Sequence, residues 1–165
     1  MILVLWGVSG SGKSHIGKML AEQLDWRFID ADDFHSYENI HKMQQGAPLN
    51  DADRLPWLAT LAAEVSNLLA NDSQAILACS ALRKSYRELL GVNNKSVVAV
   101  LLTGPTELIE QRLKQRQHAF MSNNLLQSQL AALELPEQGL VIDIAQTPEE
   151  VSLQIIHALG LGSRR

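Results

Sequence analysis

The chain has a single cysteine, Cys79, so no disulfide can form within it, and a reducing, cytoplasmic setting is the easier one. It has no apolar run approaching the roughly 20 residues that a membrane-spanning helix needs. Neither sign of charge dominates. Lys and Arg number 14 against 18 Asp and Glu, a net charge of −4 that disfavours an extended nucleic-acid surface but leaves room for a local basic cleft. No repeat, low-complexity tract or flexible linker divides the 165 residues, and that length suits one domain over 1–165 rather than two. The opening residues lack the basic region and the length of a signal peptide. His35, His41 and His118 lack the spacing of a zinc site. With 46% hydrophobic and 19% charged residues, the composition is that of an ordinary folded domain.

What is present is concentrated at the start. The apolar run Met1 to Trp6 leads into Gly7-Val8-Ser9-Gly10-Ser11-Gly12-Lys13-Ser14, and a helical pattern follows. This is a P-loop in its required strand-to-helix context. Glycines let the backbone turn its N–H groups inward around phosphate, Lys13 can reach the β- and γ-phosphates, and Ser14 can ligate Mg²⁺. Gly7, Ser9, Gly10, Ser11, Gly12, Lys13 and Ser14 are therefore the expected nucleotide-binding set. The helix that starts near Lys13 points its positive end at the same anion.

Periodicity beyond the P-loop predicts an α/β fold. Strands are expected near 2–6, 27–30, 74–79, 96–102 and 140–143, and helices near 13–24, 54–70, 82–90, 105–117 and 148–159. The near-continuous apolar runs around 76–78 and 97–102 suit strands covered on both faces. Pro105 and Pro148 mark helix starts, Gly91 and Gly160 helix exits, and residues 160–165 a frayed tail.

Asp30-Ala31-Asp32-Asp33 ends the second strand, where ligands collect in open α/β sheets. One of Asp30 and Asp32 can help organise Mg²⁺, and the other can orient a substrate hydroxyl and accept its proton. Asp33 fits a helix cap better. The third strand runs into Cys79-Ser80 with no terminal Asp, so metal organisation shifts towards Asp30 or Asp32. Cys79 lacks a neighbouring base and suits packing. His35, Lys42, Asp53, Arg54 and Trp57, with Arg83, Lys84 and Arg87 after the third strand, suit an anionic polyol, because guanidinium pairs with carboxylate while Asp and His bind hydroxyls. Trp57 suits packing support of that pocket. Arg112 and Arg116, four apart, can share a helix face leading into a lid at about 117–125.

With these motifs in hand, the chain resembles the gluconate kinase family of P-loop carbohydrate kinases over almost its full length. The resemblance is carried by Gly7–Ser14, Asp30-Ala31-Asp32 with His35, Asn39-Ile40, Lys42-Met43, Gly46, Pro48-Leu49, Asp51, Asp53-Arg54 and Pro56-Trp57-Leu58. It continues through Cys79-Ser80-Ala81-Leu82-Arg83-Lys84, Tyr86-Arg87, Leu125-Leu126, Ser128-Gln129 and Leu133-Glu134. The resemblance implies a nucleoside-monophosphate-kinase-like parallel sheet of order 2-3-1-4-5, flanked by helices and carrying a mobile lid. It implies ATP- and Mg²⁺-dependent phosphorylation of D-gluconate at the 6-hydroxyl by a cytoplasmic homodimer. Under it, Asp32 activates the alcohol and Asp30 joins Ser14 at Mg²⁺. Lys13 and Arg116 stabilise transferred charge, and Arg112 and Gln146 lie on the nucleotide side. His35, Arg54, Arg83 and Arg87 hold gluconate. The stretch His118-Ala119-Phe120 departs from the family's Gly-His-Phe lid sequence. A shikimate or nucleoside monophosphate kinase of the same fold is the enzymatic alternative, and a non-catalytic nucleotide-binding module a more distant one. Asn94-Lys95-Ser96-Val97 lacks the Asp of a guanine-recognition motif, which argues against a GTP switch.

Overall fold

Five short apolar segments alternate with helices along the chain, and this forces every strand-to-strand connection to cross over a sheet face. In the computed structural model, which describes residues 1–93, 95–116 and 123–162, the outcome is a fully parallel sheet. The strands are β1 (Ile2–Trp6), β2 (Arg27–Asp30), β3 (Ala75–Ala78), β4 (Val97–Thr103) and β5 (Leu140–Asp143), in the order β2-β3-β1-β4-β5. The helices are α1 (Lys13–Leu24), α2 (Tyr37–Gln44), α3 (Asp51–Ala70), α4 (Lys84–Leu89), α5 (Thr106–Gln115), α6 (Asn123–Ala132) and α7 (Pro148–Ala158), with a 3₁₀ turn at Ala31–Phe34.

The central strand β1 is buried on both faces, and its alternate side chains feed two cores. Ile2, Val4 and Trp6 join Trp57, Leu58, Leu61 and Val65 of α3. Leu3 and Leu5 join Ile16 and Leu20 of α1, Ile109 of α5, and Val151 and Ile155 of α7. No described helix is long and apolar enough to cross a membrane.

The expected strands and their order agree with this architecture. Two helices were not expected from periodicity. α2 is one short, polar element started by the Ser36 side chain, which accepts from the Asn39 N–H. α6 opens inside the segment expected to form the lid. Of that segment, residues 117–122 lie outside the described ones, as do 163–165 of the expected tail. α3 begins at Asp51, three residues before the expected start. A reciprocal capping box of Asn50 and Asp53 satisfies its first amides.

Candidate active site

The C-terminal ends of β1, β2 and β3 deliver the P-loop, the Asp30–Asp32 turn and Cys79-Ser80 to one cleft. At Gly7 the backbone lies at φ +146°, and a Cβ would sit 2.4 Å from the Leu102 carbonyl oxygen, so only glycine lets the loop pass β4 this closely. At Gly10, φ is +81° and a Cβ would press to 2.9 Å from Leu113 on α5. The N–H groups of Gly10, Gly12, Lys13 and Ser14 have no hydrogen-bond partner among the described residues. The Ser11 hydroxyl is likewise buried without one. Such a set of orphaned donors at a helix N-terminus fits a phosphate chain.

Lys13 donates from Nζ to the Val8 carbonyl at 3.0 Å, which folds the ammonium over the loop. Burial lowers its pKa, against the pull of Asp32 and Asp30. On the far side of the loop a cleft of about 310 Å³ is lined by Gly10, His15, Arg112, Arg116, Ile144 and Gln146 among others. Arg112 donates to the Ile144 carbonyl at 2.8 Å and so ties α5 to the loop after β5. Arg116 follows α5 directly, close enough for its charge to be felt at Lys13. Gln146 is held by the Asp143 carbonyl and by Gln154, both at 3.1 Å.

Ser14 donates its hydroxyl to Asp30 Oδ2 at 2.7 Å, while Oδ1 of the same carboxylate accepts the Asp32 N–H at 3.0 Å. The cap of the 3₁₀ turn is thus Asp30 itself rather than Asp33, because its side chain is the one that reaches the second amide of the turn. A hydroxyl and a carboxylate side by side at the phosphate loop are hard oxygen donors that fit Mg²⁺. No group of three or more His, Cys, Asp or Glu able to hold a metal exists among the described residues. Mg²⁺ needs no such cage when waters and phosphate oxygens complete its shell.

A second pocket opens on the other side of Lys13. Asp32, His35, Arg54, Trp57, Ser80 and Gln129 are among its walls. The Asp32 side chain is 83% exposed at the pocket mouth, yet protein on its flanks, and next the Asp30 carboxylate, raise its pKa, with Lys13 opposing. His35 is stacked on Trp57 with ring centres 4.2 Å apart, and its Nε2 lies 3.8 Å from Asp32 Oδ1. Burial, reinforced by the Arg54 charge, lowers the His35 pKa to about 4, so the ring is neutral at physiological pH. Trp57 is itself anchored by donating Nε1–H to the Ala31 carbonyl at 2.7 Å, a packing role as expected. Arg54 is placed by the Tyr86 hydroxyl, to which it donates at 3.5 Å, and Tyr86 in turn donates to Asp51.

Two basic residues expected at the substrate have protein partners instead of a place among the residues lining this pocket. Arg87 does not reach the pocket. Its guanidinium is buried, lies 3.9 Å from the centre of the Trp6 ring, and donates to the Ala81, Leu82 and Glu134 carbonyls. The cation is thus spent on backbone carbonyls of the β3–α4 loop and of the segment after α6. Arg83 lies outside the pocket and pairs with Asp51 at 3.3 Å. Lys42 and Asp53 pair with each other at 2.7 Å, and Lys84 faces Glu137. Cys79 is buried in the core, and its thiol pKa is pushed up to about 12 by that burial, so it is no nucleophile.

Residues that carried the resemblance without being given a role also line the pocket: Met43, Pro48 and Leu49 before α3, and Leu125, Ser128 and Gln129 on α6. The 125, 128, 129 spacing of one helical face was the available signal for the second group.

A family model of shikimate kinase matches residues 9–159. The probable gluconokinase of Rattus norvegicus is 41% identical over an alignment 179 positions long, gaps included, that covers 96% of this chain and 97% of that protein. The crystal structure of an unliganded sugar kinase from Janibacter sp. HTCC2649 superposes with a TM-score of 0.90 at 41% identity, covering 98% of this chain and 95% of that one. A gluconokinase structure from Sinorhizobium meliloti 1021 gives a TM-score of 0.83 at 38% identity over 96% and 90% of the two chains. With its parallel sheet, its P-loop and this likeness over nearly the whole length, the chain belongs to the gluconokinase family of P-loop kinases.

Proposed function

We propose that the protein transfers the γ-phosphoryl group of ATP to the 6-hydroxyl of D-gluconate, giving 6-phospho-D-gluconate and ADP. The observation that carries this reading is the placement of Asp32 and Arg54 in one pocket whose wall also includes Lys13 of the phosphate loop. Asp32 orients the attacking hydroxyl and takes its proton as the new oxygen–phosphorus bond forms and the bond to the β–γ bridging oxygen breaks. Lys13 and the free loop amides balance charge on the transferring group, with Arg116 entering from α5. Mg²⁺, held through Ser14 and Asp30, supplies further neutralisation of the β- and γ-phosphates when bound. Arg112 supports the nucleotide side through Ile144, and Gln146 borders the base.

Arg54 pairs with the acceptor carboxylate, and neutral His35 hydrogen-bonds a hydroxyl without adding charge. We further propose a cytoplasmic homodimer with no nucleic-acid partner, a reading supported by the resemblance and the modest net charge; light scattering of the purified protein tests the dimer. Shikimate phosphorylation is the second reading, favoured by the family model that matches 9–159.

A substrate panel separates them. With ATP and Mg²⁺, gluconate is expected to be turned over far better than glucitol, shikimate or a nucleoside monophosphate. Arg54→Ala should raise the KM for gluconate by roughly 10-fold or more, the worth of a charged hydrogen bond, and leave the poor turnover of glucitol unchanged. A clear preference for shikimate overturns the assignment.

A further inference from the structure

Two early P-loop amides differ from the orphaned ones that follow. The Gly7 N–H donates to the Ser80 carbonyl at 3.2 Å. The Ser9 N–H donates to Gln129 Oε1 at 2.7 Å, and Gln129 Nε2 donates back to the Ser9 hydroxyl at 3.3 Å. These contacts join residues 120 positions apart and link the phosphate loop to α6. Gln129 also lines the acceptor pocket, beside Leu125 and Ser128 of the same helical face. One primary amide therefore holds both the backbone and the side chain of a loop residue while facing the acceptor.

The segment just beyond α6 is tied as well. The Glu134 N–H donates to the Leu82 carbonyl at 2.9 Å, the Glu134 carboxylate accepts the Lys84 N–H at 2.7 Å, and the Glu134 carbonyl accepts from Arg87. The segment after α6 is thereby anchored to the β3–α4 loop and α4, so that any displacement of Ser9 would be passed to α6 at Gln129 against a fixed end. No covalent or through-core route between the two pockets is needed.

We infer that Gln129 is a positioning residue that couples the two sites: through its paired hydrogen bonds to Ser9, occupation of the P-loop by nucleotide phosphate sets α6 in place to bind the acceptor, and acceptor binding tightens nucleotide in return. Reciprocity follows from linkage, because the free energy that nucleotide adds to acceptor binding equals the converse. The inference rests on the gluconate reading for the identity of the acceptor, but not for the link between loop and helix.

Calorimetry on the whole protein tests it. The dissociation constant of gluconate is measured with and without saturating Mg²⁺ and a non-hydrolysable ATP analogue, and their ratio is the coupling factor. Wild type is expected to show a factor of roughly 5 or more. Gln129→Met keeps the unbranched length but removes the two contacts to Ser9, and should bring the factor below about 2. Ser9→Ala keeps the backbone donor and loses the hydroxyl, so it should fall between; it also reads the link if Gln129→Met fails to fold. A merely structural Gln129 would lower thermal stability and leave the ratio untouched. A wild-type ratio near 1, or an unchanged ratio in Gln129→Met, overturns the inference. Hydrogen exchange supplies the arm that does not need gluconate. The nucleotide analogue alone should slow exchange of the amides over 125–132 in wild type and not in Gln129→Met. If wild type binds no gluconate, the function proposed above fails, while this exchange difference still decides the coupling.

Discussion

The two sides of the cleft are built in opposite ways. The loop on the proposed phosphate side is one contiguous stretch, Gly7–Ser14, whose unpartnered donors among the described residues are mostly backbone N–H groups presented by a turn and a helix start. The acceptor side draws Asp32 and His35 from the turn after β2, Arg54 and Trp57 from α3, Ser80 from the end of β3 and Gln129 from α6. Phosphate is common to all ATP-dependent transfers and can be read by a local backbone shape. An acceptor has individual groups, and these need side chains aimed from several directions. Lys13 is the shared element, since it belongs to the loop and also lines the acceptor pocket.

That contrast is broken most severely at the shared residue. Lys13→Ala should lower kcat by about 10³-fold with the fold retained by circular dichroism, because a preorganised charge facing the transferring group is lost. Near-normal turnover would move Lys13 out of the site. On the acceptor side, Asp32→Asn preserves shape and removes the base, so kcat should fall by roughly 10²–10⁴-fold while gluconate and ATP binding are nearly kept. Asp30→Asn, measured in parallel, should instead shift the Mg²⁺ dependence, because Asp30 touches Ser14. The reverse pattern would exchange the two roles.

Arg87 sharpens the comparison from beneath. Its guanidinium satisfies three backbone carbonyls behind the acceptor wall, and Arg87→Met leaves them without that donor. The expected result is a loss of roughly 2–4 kcal/mol in urea unfolding, with KM for gluconate changed less than in Arg54→Ala. A large KM effect at unchanged stability would return Arg87 to substrate binding.

The smallest effect is in pH dependence. His35 has a folded-state pKa of about 4 against 6.5 for the free side chain, so between those values the unfolded chain binds the extra proton. This contribution to stability is complete above about pH 6.5 and is lost as pH falls towards 4. Comparing urea midpoints at pH 7, 5.5 and 4.5, His35→Gln should show a shallower decline than wild type. Equal slopes would mean that His35 is not held neutral by the Trp57 stack and Arg54.

Legibility in the sequence followed the same division. The P-loop, the strand positions and the Asp30–Asp32 turn could be read from the chain because each depends on neighbours a few residues apart, whereas the strand order, a long-range pairing, came only from the family resemblance. The lack of a carboxylate after β3 was equally local. The partners of Arg83 and Arg87 were not legible because a basic side chain has the same chemistry whether it meets a substrate, an aspartate or three carbonyls. Only the closing of the β3–α4 loop over Trp6 shows which partner Arg87 has. α2 was missed because eight residues give two turns of pattern, and its start is a side-chain cap rather than an apolar period.

By itself, then, the order of residues determined a parallel α/β sheet and a phosphate-binding loop, since both arise from short-range periodicity and from backbone freedom at glycine. Tertiary structure alone decided which cations remain at the cleft, that His35 is neutral, and that Gln129 on α6 meets Ser9. Those outcomes depend on burial and on hydrogen-bond partners far apart in the chain, and no local pattern encodes them.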